Sequence, residues 1–252
     1  MRFYIDSIIT MSILLIPVAP LTRAKSRLEN YFSREQLKDL IIAMFRDLGS
    51  TLLDVDCFEK KIVYCASDEI LDLASDFNLT GIKEEVNNVA LSFDTVISQM
   101  NKIAINHFKA RETVIAFLDV ILINANNFYE INELMKHNKI VVCPAIHSAG
   151  ISILGRRPPD IIEPCFSDPQ IPSLSMLLNS ARERGIEDIA VYDSFRAGFD
   201  IDIPEDLLLA YEYLKIFNLK QTNTYKFLSH NLKSSLRKEN ATNNRKFKDL
   251  KR

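Results

Sequence analysis

Two stretches of this sequence concentrate residues able to handle phosphate and metal. Residues 17–28 read Pro-Val-Ala-Pro-Leu-Thr-Arg-Ala-Lys-Ser-Arg-Leu and place Arg23, Lys25 and Arg27 within five residues. Guanidinium forks and an ammonium at that spacing can neutralise a polyphosphate, although a solvated basic loop ahead of a helix would look the same. The second resource is acidic: Asp119 closes an apolar run, and Asp200 and Asp202 stand just before Pro204. A carboxylate at the end of a buried strand is costly unless it is used or paired. Hard cations such as Mg²⁺ are held by one or two carboxylates together with substrate phosphates. Asp202 also has a structural use, as a cap near a helix start.

The rest of the composition excludes several other chemistries. The chain has 252 residues, 47% apolar and 25% charged, with a net charge of −2, which is globular. Its six glycines never cluster into G-x-G-x-x-G or G-x-x-x-x-G-K-[ST], so dinucleotide-binding and P-loop folds are disfavoured. Cys57, Cys65, Cys143 and Cys165 form no C-x-x-C, and the four histidines form no H-x-x-x-H, which speaks against zinc. Reduced thiols suit a cytoplasmic protein. The apolar run Ser7–Val18 is too short to span a bilayer, so no membrane anchor is expected. From Lys220 onward ten Lys/Arg face two Asp/Glu, leaving an acidic body with 21 basic and 31 acidic side chains. This basic tail lacks the aromatic interleaving suited to stacking bases, so nucleic acid is not the expected partner.

The elements that must position the charged residues follow from a hydrophobic period that switches between strand and helix, the mark of α/β architecture. Apolar runs predict strands at 13–18, 61–65, 113–118, 139–143, 151–154 and 188–192. Helices are predicted at 69–77, 86–108, 128–137 and 173–184, with Gly185 as the last one's C-cap. Ser33-Arg34-Glu35-Gln36 supplies a capping box for a further helix whose apolar positions run from Leu37 to Leu48. Pro204, followed by two acids, opens the last predicted helix. The expected organisation is an N-terminal extension over 1–11, one domain over 12–219, and a flexible basic tail over 220–252.

The runs I-P-V-A-P-L-T-R-A-K-S-R-L at 16–28, R-P-P-D at 157–160 and F-D-I-D-I-P-E-D-L at 199–207 resemble the archaeal and actinobacterial 2-phospho-L-lactate guanylyltransferases of coenzyme F-420 biosynthesis. The resemblance runs in order from about Ser12 to about Leu214. It implies a GT-A-like nucleotidyltransferase fold, a mixed, mostly parallel sheet flanked by helices, often as a homodimer. It also implies GTP, a small phospho-acid and Mg²⁺ as ligands. On it, Lys25 and Arg27 hold GTP phosphates, Asp119 and Asp202 hold the metal, and Arg23, Asn88, Gly150 and Ser152 belong to the substrate loops. Ser173 would open a helix whose N–H groups take the acid's phosphate or carboxylate.

Departures fall around the acceptor. Ala19 replaces a usual Lys, Val86-Asn87-Asn88 a usual G-L-N, Ala149-Gly150-Ile151-Ser152 a usual G-G-T-N, Leu177 a usual His, and Ile203 a usual capping Thr. A diverged paralogue without turnover and a nucleotidyltransferase for another acceptor are the competing readings.

Overall fold

A computed structural model describes residues 11–85, 92–232, 234–238 and 245–249. Seven strands form one sheet: β1 (Ser12–Val18), β2 (Lys60–Cys65), β3 (Thr80–Lys83), β4 (Glu112–Ala116), β5 (Ile140–Pro144), β6 (Ile151–Arg156) and β7 (Ile189–Val191), in the order β3-β2-β1-β4-β6-β5-β7. Only β6 runs antiparallel, paired with β4 and β5; every other pairing is parallel. β1 is buried along its whole length, as a central strand covered on both faces must be.

Its residues alternate between two cores. Leu14 and Ile16 face α1 (Arg34–Leu53), α2 (Asp68–Asp76), α4 (Ala125–His137) and α7 (Pro204–Ile216), while Ile13 and Leu15 face α3 (Phe93–Phe108) and α5 (Ser173–Glu183). The period-2 pleat thus feeds two helical layers.

Local signals fix several helix starts. Ser33 and Gln36 make the expected reciprocal capping box. α4 begins three residues ahead of the predicted start, because Asn124 and Asn127 form a second such box. α3 begins at Phe93 rather than Val86, since the Ser92 hydroxyl accepts from Thr95 N; residues 86–91, Asn88 among them, lie outside the described residues.

β3 and the short α6 (Phe195–Gly198) were not predicted: a four-residue strand and a one-turn helix carry too little periodicity.

The basic tail differs from expectation over part of its length. α8 (Asn223–Asn231) packs Leu228 into the core and sets Phe227 edge-on to Phe32 at 5.3 Å. The Thr222 hydroxyl caps α8 locally by accepting from Tyr225 N, and the Asp47 carboxylate on α1 completes the cap by accepting from the N–H groups of Asn223 and Thr224. Tertiary contact therefore orders a segment whose composition alone favours solvent. Beyond it, β8 (Ser234–Lys238) and β9 (Arg245–Asp249) pair antiparallel.

Candidate active site

A cleft of about 510 Å³ opens beyond the carboxyl ends of β1 and β4, where α/β sheets place their ligands. The chain leaves β1 through a turn in which the N–H groups of Arg23 and Ala24 donate to the Pro20 carbonyl. That turn ends at Lys25, held in the left-handed region (φ 56°, ψ 36°), a conformation that costs a non-glycine residue about 1 kcal/mol or more. Leu28 and Phe32, both buried, anchor the loop to the core. On the opposite wall, Phe199 and Ile201 point into the core and leave the alternating Asp200 and Asp202 to face the cleft. Ile201 N donates to the Asp119 carbonyl at 3.3 Å, which ties the two acidic loops together.

These constraints bring the two charged stretches to one point. Lys25 Nζ donates to an Asp119 carboxylate oxygen, to Asp202 Oδ1 at 2.9 Å and to the Ile201 carbonyl at 2.5 Å. Burial opposes the charge on Lys25, but Asp119 and Asp202 outweigh it and hold its pKa above the ordinary lysine range. Burial likewise opposes ionisation of Asp202, and Lys25 and Arg27 reverse that and lower its pKa. Arg27 lies at the mouth, 3.6 Å from Asp202 Oδ2 and largely exposed.

Asp200 gets far less relief from Lys25. Burial, and then repulsion from Asp119 and Asp202, push its carboxyl from the ordinary 3.8 up to about 7. The resemblance gave Asp200 no role; the alternation Phe199-Asp200-Ile201-Asp202 is the sequence signal that places it on the cleft side.

Among the described residues no three His, Cys, Asp or Glu side chains surround one point as a ready metal site. What exists is two carboxylates and a carbonyl, all hard oxygen donors, converging where a single cation already sits. That donor set fits Mg²⁺, which prefers one or two carboxylates and leaves its other positions to phosphate and water.

Gly150, Ser152 and Ser173 line the same cleft, with Ser148 and Asp168 beside them. The Ser152 hydroxyl is already committed, donating to the Cys143 carbonyl at 3.1 Å. A side chain at Gly150 would meet Ser148 Oγ at 2.9 Å, so this wall admits close approach only while position 150 is bare. Arg23 does not line the cleft. Burial raises the carboxyl of Glu84, just past β3, and the charge of Arg23 partly offsets that.

An aromatic wall was not legible in the sequence. Phe93, Phe117 and Phe166 meet with centroids 5.4–5.7 Å apart and line the cleft. Asp94 pins the Phe166 loop by accepting from the N–H groups of Phe166 and Ser167 at 2.7 and 3.0 Å.

A family model described as "Guanylyl transferase CofC like" matches residues 11–248. The chain belongs to the CofC-like guanylyl transferase family. The 2-phospho-L-lactate guanylyltransferase of Methanocaldococcus vulcanius is 27% identical over 198 residues, covering 77% of this chain and 82% of its own. That of Methanocaldococcus jannaschii is 28% identical over 196 residues, covering 77% and 79%.

Solved structures show the fold. A Desulfovibrio desulfuricans G20 protein assigned to the nucleotide-diphospho-sugar transferases superposes with TM-score 0.71 at 14% identity, covering 88% of this chain and 95% of that one. The 4-diphosphocytidyl-2C-methyl-D-erythritol synthase of Anaerococcus prevotii superposes at 0.55 with 12% identity, covering 82% and 96%.

Three of the family departures have physical readings. Ala149 adopts φ 49°, a left-handed conformation that a glycine would accept without strain. Leu177 is buried in the core beneath α5, out of reach of the ligand space. Ile203 cannot cap α7 with its side chain, and Asp206 carries the task alone: fully buried, it accepts from Asp202 N at 2.7 Å and Ile203 N at 2.8 Å. Asp206 is also hydrogen-bonded to His147 Nδ1, which links the 145–150 wall to the Asp202 loop.

Proposed function

We propose that this member of the family transfers the GMP moiety of GTP to a small phospho-acid, releasing pyrophosphate, in coenzyme F-420 assembly. The acceptor put first is 2-phospho-L-lactate, the acid named for the family relatives; phosphoenolpyruvate and similar acids share the phosphate and carboxylate that the cleft would read. The convergence of Lys25, Asp119 and Asp202 supports the reading best, since residues from three separate loops meet where a polyphosphate and a cation must meet.

In the reaction an oxygen of the acceptor's phosphate attacks the α-phosphorus of GTP, the bond to the β-phosphate oxygen breaks, and pyrophosphate leaves. Such a displacement asks the protein for alignment and charge neutralisation more than for covalent chemistry. Lys25 and Arg27 would take the phosphate oxygens, and Asp119 and Asp202 would hold Mg²⁺. Bound there, Mg²⁺ would neutralise charge that builds on the phosphate oxygens.

Ser148, the bare backbone at Gly150 and the start of α5 at Ser173 would hold the acceptor's anionic groups. The Phe93–Phe117–Phe166 wall would cover its short carbon skeleton and exclude water. No helix among the described residues is long and apolar enough to cross a membrane, and all four cysteines are free. We place the enzyme in the cytoplasm, acting as a homodimer.

The test is pyrophosphate release by the purified protein with GTP, Mg²⁺ and 2-phospho-L-lactate. Release with that acid or a close relative supports the proposal. Silence with every small phospho-acid and every nucleoside triphosphate would leave a diverged paralogue, and release only with a phosphosugar would move the protein to another acceptor.

A further inference from the structure

The position of Lys25 raises a conflict that the proposed reaction must resolve. Its ammonium has three N–H donors, and all three are taken by Asp119, Asp202 and the Ile201 carbonyl. None is left for a phosphate. A divalent cation bound by those same oxygens, at the roughly 2.1 Å that Mg²⁺ requires, would sit where Nζ sits now. Lysine and metal cannot both hold the site.

We propose that the oxygen cluster of Asp119, Asp202 and the Ile201 carbonyl is an exchange site: Lys25 is its resident cation, and a divalent ion enters only as a bound polyphosphate draws the ammonium away. The proposal rests on the reading of this cleft as a nucleotide and metal site, and it adds the order in which the charges arrive.

Electrostatics sets that order. In the free protein two carboxylates are matched by Lys25, with Arg27 at the mouth, so the cluster is close to neutral. Adding a divalent cation alone would leave Lys25 displaced and unpaired beside a new double charge. The Lys25 side chain is only 13% exposed, so water does little to screen that repulsion.

A triphosphate removes the difficulty, because its oxygens can accept the three N–H bonds that Lys25 gives up. Only the side chain has to move. Lys25 keeps its backbone place through Leu28 N donating to its carbonyl, and its flexible four-carbon stem can swing from the carboxylates to the open cleft beside them. Arg27 cannot stand in for it, since its guanidinium is largely exposed and reaches Asp202 alone. Linkage then makes the effect mutual: whatever favours departure of Lys25 favours metal, and metal in the site favours Lys25 on phosphate.

The experiment measures Mn²⁺ binding without nucleotide, by the loss of the free Mn²⁺ electron-spin resonance signal, for wild type and for Lys25→Met. Lys25→Met, freed of the competing ammonium, should bind one Mn²⁺ at least about ten-fold more tightly than wild type, within the usual range of coupling between sites. Adding Asp119→Asn to Lys25→Met should abolish that binding.

Thermal unfolding gives a second readout, in which millimolar Mg²⁺ should raise the Tm of Lys25→Met and leave wild type unmoved. If Lys25→Met does not fold, Lys25→Gln removes the same charge with a polar side chain and takes its place. Equal Mn²⁺ affinity in wild type and variant would overturn the exchange while leaving the metal site standing. Nucleotidyl transfer that persists with metal chelated would instead overturn the functional reading itself.

Discussion

At the carboxyl ends of β1 and β4, two carboxylates grip one ammonium in an open cleft, and a third, Asp200, faces the same space. At the opposite end of the same sheet, Arg156 is 1% exposed and pairs with no carboxylate among the described residues. Its guanidinium donates instead to the Ile162 carbonyl at 2.9 Å and to Asn101 Oδ1 at 3.1 Å, and its Nε has no partner. Asn101 is itself fixed by Thr113 and by the Pro159 carbonyl. Burial lowers the Arg156 pKa to about 10.

The two ends show two uses of buried charge. At the closed end a lone cation is dispersed into neutral dipoles that cannot move, and it joins α3, β4, β6 and the 157–162 loop. At the open end Asp119 and Asp202 hold a mobile ammonium beside an open cleft, where a ligand can take it over. Charge that serves packing is surrounded by fixed dipoles, and charge that serves binding is paired with a partner that can leave.

Substitutions should separate the two ends. The largest effect belongs to the cleft: Asp119→Asn or Asp202→Asn should cut pyrophosphate release by about a thousand-fold or more, on the scale of losing a transition-state electrostatic contact. Asn still offers Lys25 an amide oxygen, so the cost in stability should stay at about 3 kcal/mol or less, read by urea unfolding. Next, Arg156→Ala should destabilise by about 3 kcal/mol in urea unfolding, through a cavity and orphaned acceptors, with activity per folded molecule unchanged. Arg156→Met, which refills the space, should lose less. A fall in activity without a fall in stability at Arg156 would erase the contrast.

Truncation after Leu219 tests a carboxylate of the structural kind away from both ends. Asp47 is satisfied by the N–H groups that open α8, and losing α8 with its buried Leu228 should cost about 2 kcal/mol or more in stability, read by thermal unfolding.

A smaller effect distinguishes the cleft by pH. Because Asp200 is raised from 3.8 to about 7 in the folded protein, the native state binds more protons than the unfolded chain across that window. The Asp200 contribution to stability should therefore be fully present below about pH 4 and be lost as pH rises through about 7. Asp200→Asn should flatten this slope and gain of order 2 kcal/mol at pH 8. An unchanged slope in the variant would mean that the crowding at the open end carries no energetic cost. Smallest is Ala149→Gly, where relief of the left-handed strain should outweigh the added chain entropy by at most about 0.5 kcal/mol, seen as a slightly raised Tm.

Much of the fold was legible because it is local. The Ser33–Gln36 capping box, the Pro204 helix start and the apolar runs of β1 and β2 each carry their instruction within a few residues. Elements of four or so residues, such as β3 and α6, fell below that threshold, and α8 was missed because, beyond its Thr222 cap, its docking depends on Asp47 and Phe32 rather than on its own composition. In the site, Lys25, Arg27, Asp119 and Asp202 were named from type and spacing, and the cleft gathers all four. Asp200 was named among the acids but given no role, and Ser148, the aromatic wall and the His147–Asp206 link were not named, since their meaning depends on neighbours far along the chain.

The sequence by itself determined an alternating α/β chain, its helix starts and the inventory of charges. Only the tertiary structure decided that Lys25 meets carboxylates 94 and 177 residues away, because parallel strands deliver their ends to one edge whatever their separation in sequence. It also decided that Arg23, two residues from Lys25, stays out of the cleft, because a single tight turn sends neighbouring side chains in different directions.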